Sequence, residues 1–136
     1  MDLMKSMMIA ASGLRAQSGR MRVIAENVAN SGSTAKTPEG EPYRRKIATF
    51  ESELSRDLNA KLVKVGRPAL DKSPFALKHM PGHPAADENG YVKTPNVNGL
   101  VEAMDMREAQ RSYEANLNLI QASRRMIAQT MSILRG

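Results

Sequence analysis

The sequence predicts a mainly α fold: long N- and C-terminal helices paired as an antiparallel coiled coil, with an extended middle segment containing small β-hairpins. Three observations lead there. Apolar residues near each end recur in steps of four and three, the spacing of a coiled-coil seam. All seven prolines lie between those two periodic segments, where they break helices. The chain has no Trp, two Phe and three Tyr against ten Met, so it lacks the aromatic mass that usually fills a thick core.

The N-terminal pattern runs through Leu3, Met7, Ala10, Leu14, Gln17, Met21, Ile24 and Val28. It predicts a helix over 2–30, about 43 Å long at 1.5 Å per residue. Asn30-Ser31-Gly32 should end it, because Asn and Gly tolerate the left-handed conformation of helix C-termini. The C-terminal pattern runs through Met106, Gln110, Tyr113, Leu117, Ile120, Arg124, Ile127, Met131 and Leu134. It predicts a helix over 99–135 that starts at Asn98, with Glu102 and Asp105 near the positive end of its dipole. The chain thus divides into an N-terminal helix (1–32), a middle arm (33–97) and a C-terminal helix (98–136).

Each helix carries a second stripe. On the first it is Ile9, Ser12, Ala16, Gly19 and Val23; on the second, Ala115, Leu119, Ala122, Met126, Gln129 and Ile133. The second set is offset by two residues, about 200° around a helix, from the first pattern. A two-helix hairpin covers one face of each helix, so the opposite faces need other partners. One alternative is a monomeric bundle, but no third long helix exists to cover them. Another is a membrane surface, where amphipathic helices with Arg on the polar face lie. Methionine suits a surface that packs on several partners, and equally replaces Leu in a core.

Glycines and prolines punctuate the middle segment, leaving strand-like runs at Tyr43 to Phe50, Lys61 to Val65 and Phe75 to Met80. These read as one or two small hairpins on an extended arm.

Twenty Lys and Arg against 14 acids give a net charge of +6. The excess is +2 over 1–30, +3 over 31–99 and +1 over 100–136. A nucleic-acid binder concentrates charge in a patch, and this distribution does not. Without Cys, disulfides, Cys-based zinc sites and thiol catalysis are excluded. The apolar run Met7 to Ala11 is too short for a secretory signal and continues into a helical pattern bearing Arg15, Arg20 and Arg22. No stretch approaches the roughly 20 apolar residues of a membrane span.

Chemistry is sparse. His79 and His83, with Asp87 and Glu88 nearby, form a conceivable two-His metal site, but Pro81 and Gly82 interrupt the spacing. Glu51 and Glu53 alternate on a strand or turn and lack the pocket that catalytic acids need. Arg44-Arg45-Lys46 is the densest basic run, and nearby Glu39, Glu41, Glu51 and Glu53 make it a solvated or protein-facing one. No phosphate-binding glycine loop occurs. The expectation is no catalytic, cofactor-binding or metal-binding residue.

Ala11-Ser12-Gly13-Leu14 followed by Ile24-Ala25-Glu26-Asn27-Val28-Ala29-Asn30, with Arg111-Ser112-Tyr113-Glu114-Ala115-Asn116 on the second helix, resembles the flagellar axial protein family of rod, hook and hook-associated subunits. Thr37-Pro38-Glu39-Gly40, Pro42-Tyr43-Arg44-Arg45-Lys46, His83-Pro84, Gly90-Tyr91-Val92 and Pro95-Asn96-Val97-Asn98 narrow the likeness to subunits of the proximal rod. Ser33-Thr34-Ala35-Lys36 and Gly99-Leu100 depart from the pattern and blur the helix boundaries.

The resemblance implies a structural subunit of the bacterial basal body that assembles into a helical tubular lattice and transmits torque. It implies export through the flagellar type III apparatus without a cleaved signal peptide, and residence in the rod within the periplasm. Its partners would be copies of itself, other rod subunits, the export-gate adaptor and the inner-membrane ring, with no nucleic acid and no direct membrane insertion. The rival is a basic coiled-coil adaptor on membrane or nucleic acid. The expected seam within a subunit is Leu14, Met21, Ile24 and Val28 against Tyr113, Leu117, Ile120 and Ile127. The expected assembly face is Ile9, Ala16, Val23, Ala115, Leu119, Met126 and Ile133. Asn27, Asn30, Tyr113 and Asn116 carry the family motif, with Asn27 and Asn30 either capping the helix end or bridging subunits.

Overall fold

A computed structural model describes residues 2–136; Met1, at the head of the N-terminal segment, lies outside the described residues. Helix α1 spans Leu3–Ala29 and α2 spans Gly99–Arg135, each within a residue of the range its periodicity gives. Their ends are fixed by short polar side chains. Asp2 Oδ1 accepts the Met4 N–H at 3.0 Å, and Asn98 Oδ1 accepts the Leu100 N–H at 3.0 Å, satisfying donors that a helix start leaves free. At the far end of α1, Asn30 Nδ2 donates to the Glu26 carbonyl at 2.9 Å.

The middle holds more strand than its sequence shows. Between the helices lie β1 (Lys46–Ile47), β2 (Phe50–Ser55), β3 (Ala60–Val65), β4 (Ala69–Leu70), β5 (Ala76–His79) and β6 (Tyr91–Thr94). They form three two-stranded antiparallel sheets, β1–β4, β2–β3 and β5–β6. With 47% helix and 18% strand, the chain is two helices with small sheets between them rather than simply α. The run Tyr43 to Phe50 gives only the short β1, because β2 begins where that run ends.

The β2–β3 hairpin pairs Phe50 with Val65 through Ser55 with Ala60. It turns through Asn59, which takes φ +46°, a conformation that Asn tolerates. The β5–β6 pair is closed by a turn at Gly90, with φ +82°. Asp87 organises that turn by accepting the Asn89 and Tyr91 N–H groups, both at 2.9 Å.

By proximity the residues form two compact units. The first takes the chain up to Met21, Thr49–Arg67 and Arg107–Gly136; the second takes Arg22–Ala48 and Pro68–Met106. The first therefore holds the β2–β3 hairpin, and the second holds the other two sheets. Fully covered side chains in the first are Ala10, Ser12, Ala16, Ala109 and Ser123. In the second, Val23, Ile24, Asn27, Ala85, Val92 and Glu102 are buried.

Candidate assembly surface

In the first unit, the small-residue stripe of α1 has an occupant. The Val63 N–H of β3 donates to Ser12 Oγ at 3.2 Å, and that hydroxyl donates to the Ile9 carbonyl at 2.6 Å. A Cβ placed on Gly19 would meet Val65 Cγ2 at 2.7 Å, closer than packed atoms approach. The stripe is small because a β-strand lies on it. Of the expected assembly face, Ala16 is therefore already buried within the chain and Ile9 is half-buried; Val23, in the second unit, is buried as well.

The α2 part of that face is open. Leu119 is 46% exposed, Met126 45% and Ile133 78%, and Ala115 is exposed beside them. Met131, Leu134 and, on α1, Met4 and Met8 add apolar surface in the same unit. Contiguous exposed apolar surface of this kind is uncommon on a chain that works alone.

The expected seam is only partly where the apolar pattern puts it. Leu14, Met21, Tyr113, Ile120 and Ile127 are half-buried and Ile24 is buried. Leu117 is exposed and Val28 is half in water. The covered line of α2 instead runs through Glu102, Ala109, Asn116 and Ser123, a heptad of small and polar residues. Where α1 meets this line in the first unit it has Gly13, at which a Cβ would come 2.8 Å from Asn116 Nδ2. Nearby, Arg20 pairs with Glu108 at 3.5 Å.

The second unit is organised by Asn27, which uses its whole hydrogen-bonding capacity. Its Nδ2 donates to the Lys46 carbonyl at 2.8 Å and to Glu102 Oε2 at 3.3 Å. Its Oδ1 accepts the Tyr43 hydroxyl at 2.8 Å and the Lys46 N–H at 2.9 Å. Glu102, fully buried, also takes Arg45 Nε. The same guanidinium reaches Asp71 at 3.1 Å and Asp105 at 3.3 Å. Asn96 fixes the segment by accepting the Arg45 N–H at 2.7 Å and donating to the Asp71 carbonyl at 3.0 Å.

The titrations follow from this wiring. The bond to Glu102 holds the Arg45 pKa above its ordinary value. Burial, then the Glu26 charge, raises Tyr43. The Ser73 N–H and hydroxyl, then Arg45, hold the Asp71 carboxyl below the usual range. Lys46 is raised by its 2.6 Å bond to Glu26. Arg44 donates to the Asp71 carbonyl at 2.8 Å and lies 4.2 Å over the Phe75 ring. All three cations of the basic run are thus taken by the protein itself.

Residues 88–133 match the family model described as flagellar basal body rod FlgEFG protein C-terminal. Along nearly its whole length the chain is also similar to flagellar basal-body rod proteins FlgC. It is 50% identical to that of Agrobacterium fabrum, covering 94% of this chain and 92% of the relative. The identity is 38% to that of Borreliella burgdorferi over all of both chains, and 38% to that of Salmonella typhimurium over 98% of each. The chain belongs to the FlgC family of flagellar basal-body rod proteins. It is a structural subunit of the basal-body rod and not an enzyme.

Family membership gives the motif residues a context. Asn27 holds the start of β1 to α1 and Glu102, while Asn30 closes the α1 terminus and accepts the Ser33 hydroxyl at 3.0 Å. Asn116 returns its amide to the Ser112 carbonyl at 3.1 Å beside Gly13, and Tyr113 is half-buried one turn earlier. The histidines go to separate tasks. His79 meets the Tyr91 ring edge-on across β5–β6, with centroids 5.0 Å apart. His83 Nδ1 accepts the Ala85 N–H at 3.0 Å, which leaves Nε2 to donate to Thr34 Oγ1 at 3.1 Å. Glu51 and Glu53 stand exposed on β2. Among the described residues no helix is long and apolar enough to cross a membrane.

Sequence singles out Asn27 as a motif residue, Glu102 as a dipole-complementing acid and Arg45 within the basic run, but not the centre they form together. Its one signal was Glu102 in heptad register with Ala109, Asn116 and Ser123, a small-residue line that an apolar search passes over.

Proposed function

We propose that the chain builds the proximal rod as a helical tubular lattice that carries torque, with α1 and α2 as an antiparallel coiled coil inside each subunit. Gly13 and Asn27 lie two heptads apart on α1, and their respective neighbours Asn116 and Glu102 lie two heptads apart on α2 in reverse order. That ordering supports the antiparallel pairing. The observation that carries the assembly reading is the open α2 stripe of Ala115, Leu119, Met126 and Ile133. Heterologous contacts that do not close generate a helical filament, and each added subunit covers the stripe left open by the last.

On this reading the neighbours are copies of the chain, other rod subunits, the export-gate adaptor and the inner-membrane ring. The chain reaches them in the periplasm through the flagellar type III apparatus. The division into 1–32, 33–97 and 98–136 serves as helix, arm and helix of that subunit. In the basic run Arg45 and Lys46 are engaged by Glu102, Asp71, Asp105 and Glu26, which speaks against that run as a nucleic-acid contact.

Leu119→Asp tests the face, because a carboxylate trapped between apolar subunits is costly. The expected result is normal expression and export with motility lost and no subunit in purified basal bodies. Normal swimming by that variant would remove Leu119 and its stripe from the assembly face.

A further inference from the structure

The hairpin of the first unit has two outer edges with different fates. In an antiparallel pair, residues alternate between exchanging hydrogen bonds with their partner and pointing them outward. The Gly66 N–H donates to the Thr49 carbonyl at 2.9 Å, so Thr49, Glu51, Glu53 and Ser55 face inward and Phe50, Ser52 and Leu54 face outward. On β3 the corresponding outward donor is Val63, whose N–H is taken by Ser12 Oγ. Among the described residues β2 pairs with β3 alone, so its outward groups meet no second strand there.

We propose that this outer edge of β2 is a strand-addition site, filled in the rod by an extended segment of a neighbouring subunit bearing Lys or Arg at alternate positions. The edge runs for six residues, Phe50–Ser55. Phe50–Ser55 contains no proline, lysine or bulge, so of the devices that usually blunt an exposed edge it carries the charges of Glu51 and Glu53 alone. Phe50 and Leu54 are exposed on one face, and Glu51 and Glu53 on the other. An incoming strand therefore needs apolar residues toward Phe50 and Leu54, and cations toward the glutamates. The inner partner already shows this chemistry, since Glu51 faces Lys64 across the ladder.

The same charges say which partner is refused. Two copies of β2 meeting edge to edge would bring Glu51 and Glu53 against their equivalents, and like charges placed opposite destabilise a sheet. The edge thus selects against a closed pair and for a heterologous contact, the kind that extends a helical lattice. This rests on the rod role of the chain but not on the α2 stripe.

The test uses the full-length, epitope-tagged chain carrying Ser52→Pro. The Ser52 N–H points away from β3, so proline there removes a donor for the incoming strand and leaves the hairpin ladder intact. Amide exchange of the purified chain checks that β3 protection survives. The expected result is a folded, exported subunit missing from purified basal bodies. Glu51→Lys with Glu53→Lys, which keeps every backbone donor, is expected to fail in the same way. A Ser52→Cys chain, cross-linked in intact basal bodies, should join an extended basic segment of a neighbour. Wild-type incorporation of both the proline and the double-lysine variants, or cross-links only to helices, would overturn the proposal. Incorporation of the tagged wild-type chain separates that failure from any failure of the rod assignment, and Leu119→Asp reads the helix face independently.

Discussion

The fully buried side chains of the first unit are alanines and serines, whereas the second unit buries Glu102 and Asn27 beside Val92. Small buried residues bring backbones close but remove little apolar surface from water, at about 25 cal/mol for each Å². The first unit therefore leaves its larger side chains, Leu119, Met126 and Ile133 among them, exposed, and on the proposed reading neighbouring subunits cover them. The second unit instead uses a saturated polar centre that accepts one arrangement of α1, the middle segment and α2. Such a centre stabilises little relative to an apolar core, but breaking it is costly. On the proposed reading, one unit is shaped for neighbours and the other for its own conformation.

The largest expected effect is on the polar centre. Glu102→Ala leaves Arg45 with Asp71 and Asp105 but strands one Asn27 amide proton in a covered site, and with the lost charge-assisted bond the cost is about 2–3 kcal/mol. Urea unfolding of the purified chain should show that loss. Replacing both partners, Arg45→Met with Glu102→Leu, should recover only part of it, because the Asn27 amide proton stays unpaired and Asp71 and Asp105 lose their cation. A Glu102→Ala loss under about 1 kcal/mol, the scale of a surface ion pair, would mean the contrast between the units is wrong.

A smaller effect sharpens the description of the first unit. Gly19→Ala gains about 1 kcal/mol of helix propensity, yet overpacking a close contact costs about 1–3 kcal/mol. With Val65 Cγ2 only 2.7 Å from the added Cβ, the variant should lose stability on balance. Combined with Val65→Ala, which removes the obstructing methyl, the two changes should couple favourably by at least about 0.5 kcal/mol. Additive effects would mean that β3 does not hold the stripe.

These two sites also show what was legible in the sequence. Both helices could be read because period and caps are local: Asn98 starts α2 and Asn30 closes α1 within a few residues of the groups they satisfy. The open α2 stripe was legible for the same reason. The occupant of the α1 stripe was not, since Ser12 and Val63 meet across 51 residues and small residues do not say whether a helix or a strand will lie on them. β6 escaped because Tyr91–Thr94 is short, and partners in β5 lie across a proline-rich turn. Glu102 looked like an ordinary dipole-complementing acid. Arg45, 57 positions away, gives it a different role, and only the fold brings the two together.

The smallest expected effect concerns Asp71, at the margin of the polar centre. Hydrogen bonds from the Ser73 N–H and hydroxyl, then Arg45, hold its pKa below the ordinary 3.8. A depressed carboxyl contributes stability that is fully present above the unfolded value and is lost as pH falls through the folded one. The contribution should therefore persist at neutral pH and disappear only below 3.8. Asp71→Asn keeps an oxygen for the Ser73 N–H but loses the charge facing Arg45. The difference in urea midpoint between wild type and variant should be constant from about pH 7 to pH 5 and shrink toward zero as Asp71 takes up its proton. Both chains share every other titrating acid, so the difference isolates this one. A gap that stays constant into the acid range would show that Asp71 acts through shape rather than charge, leaving Glu102 and Asp105 as the carboxylates that hold Arg45.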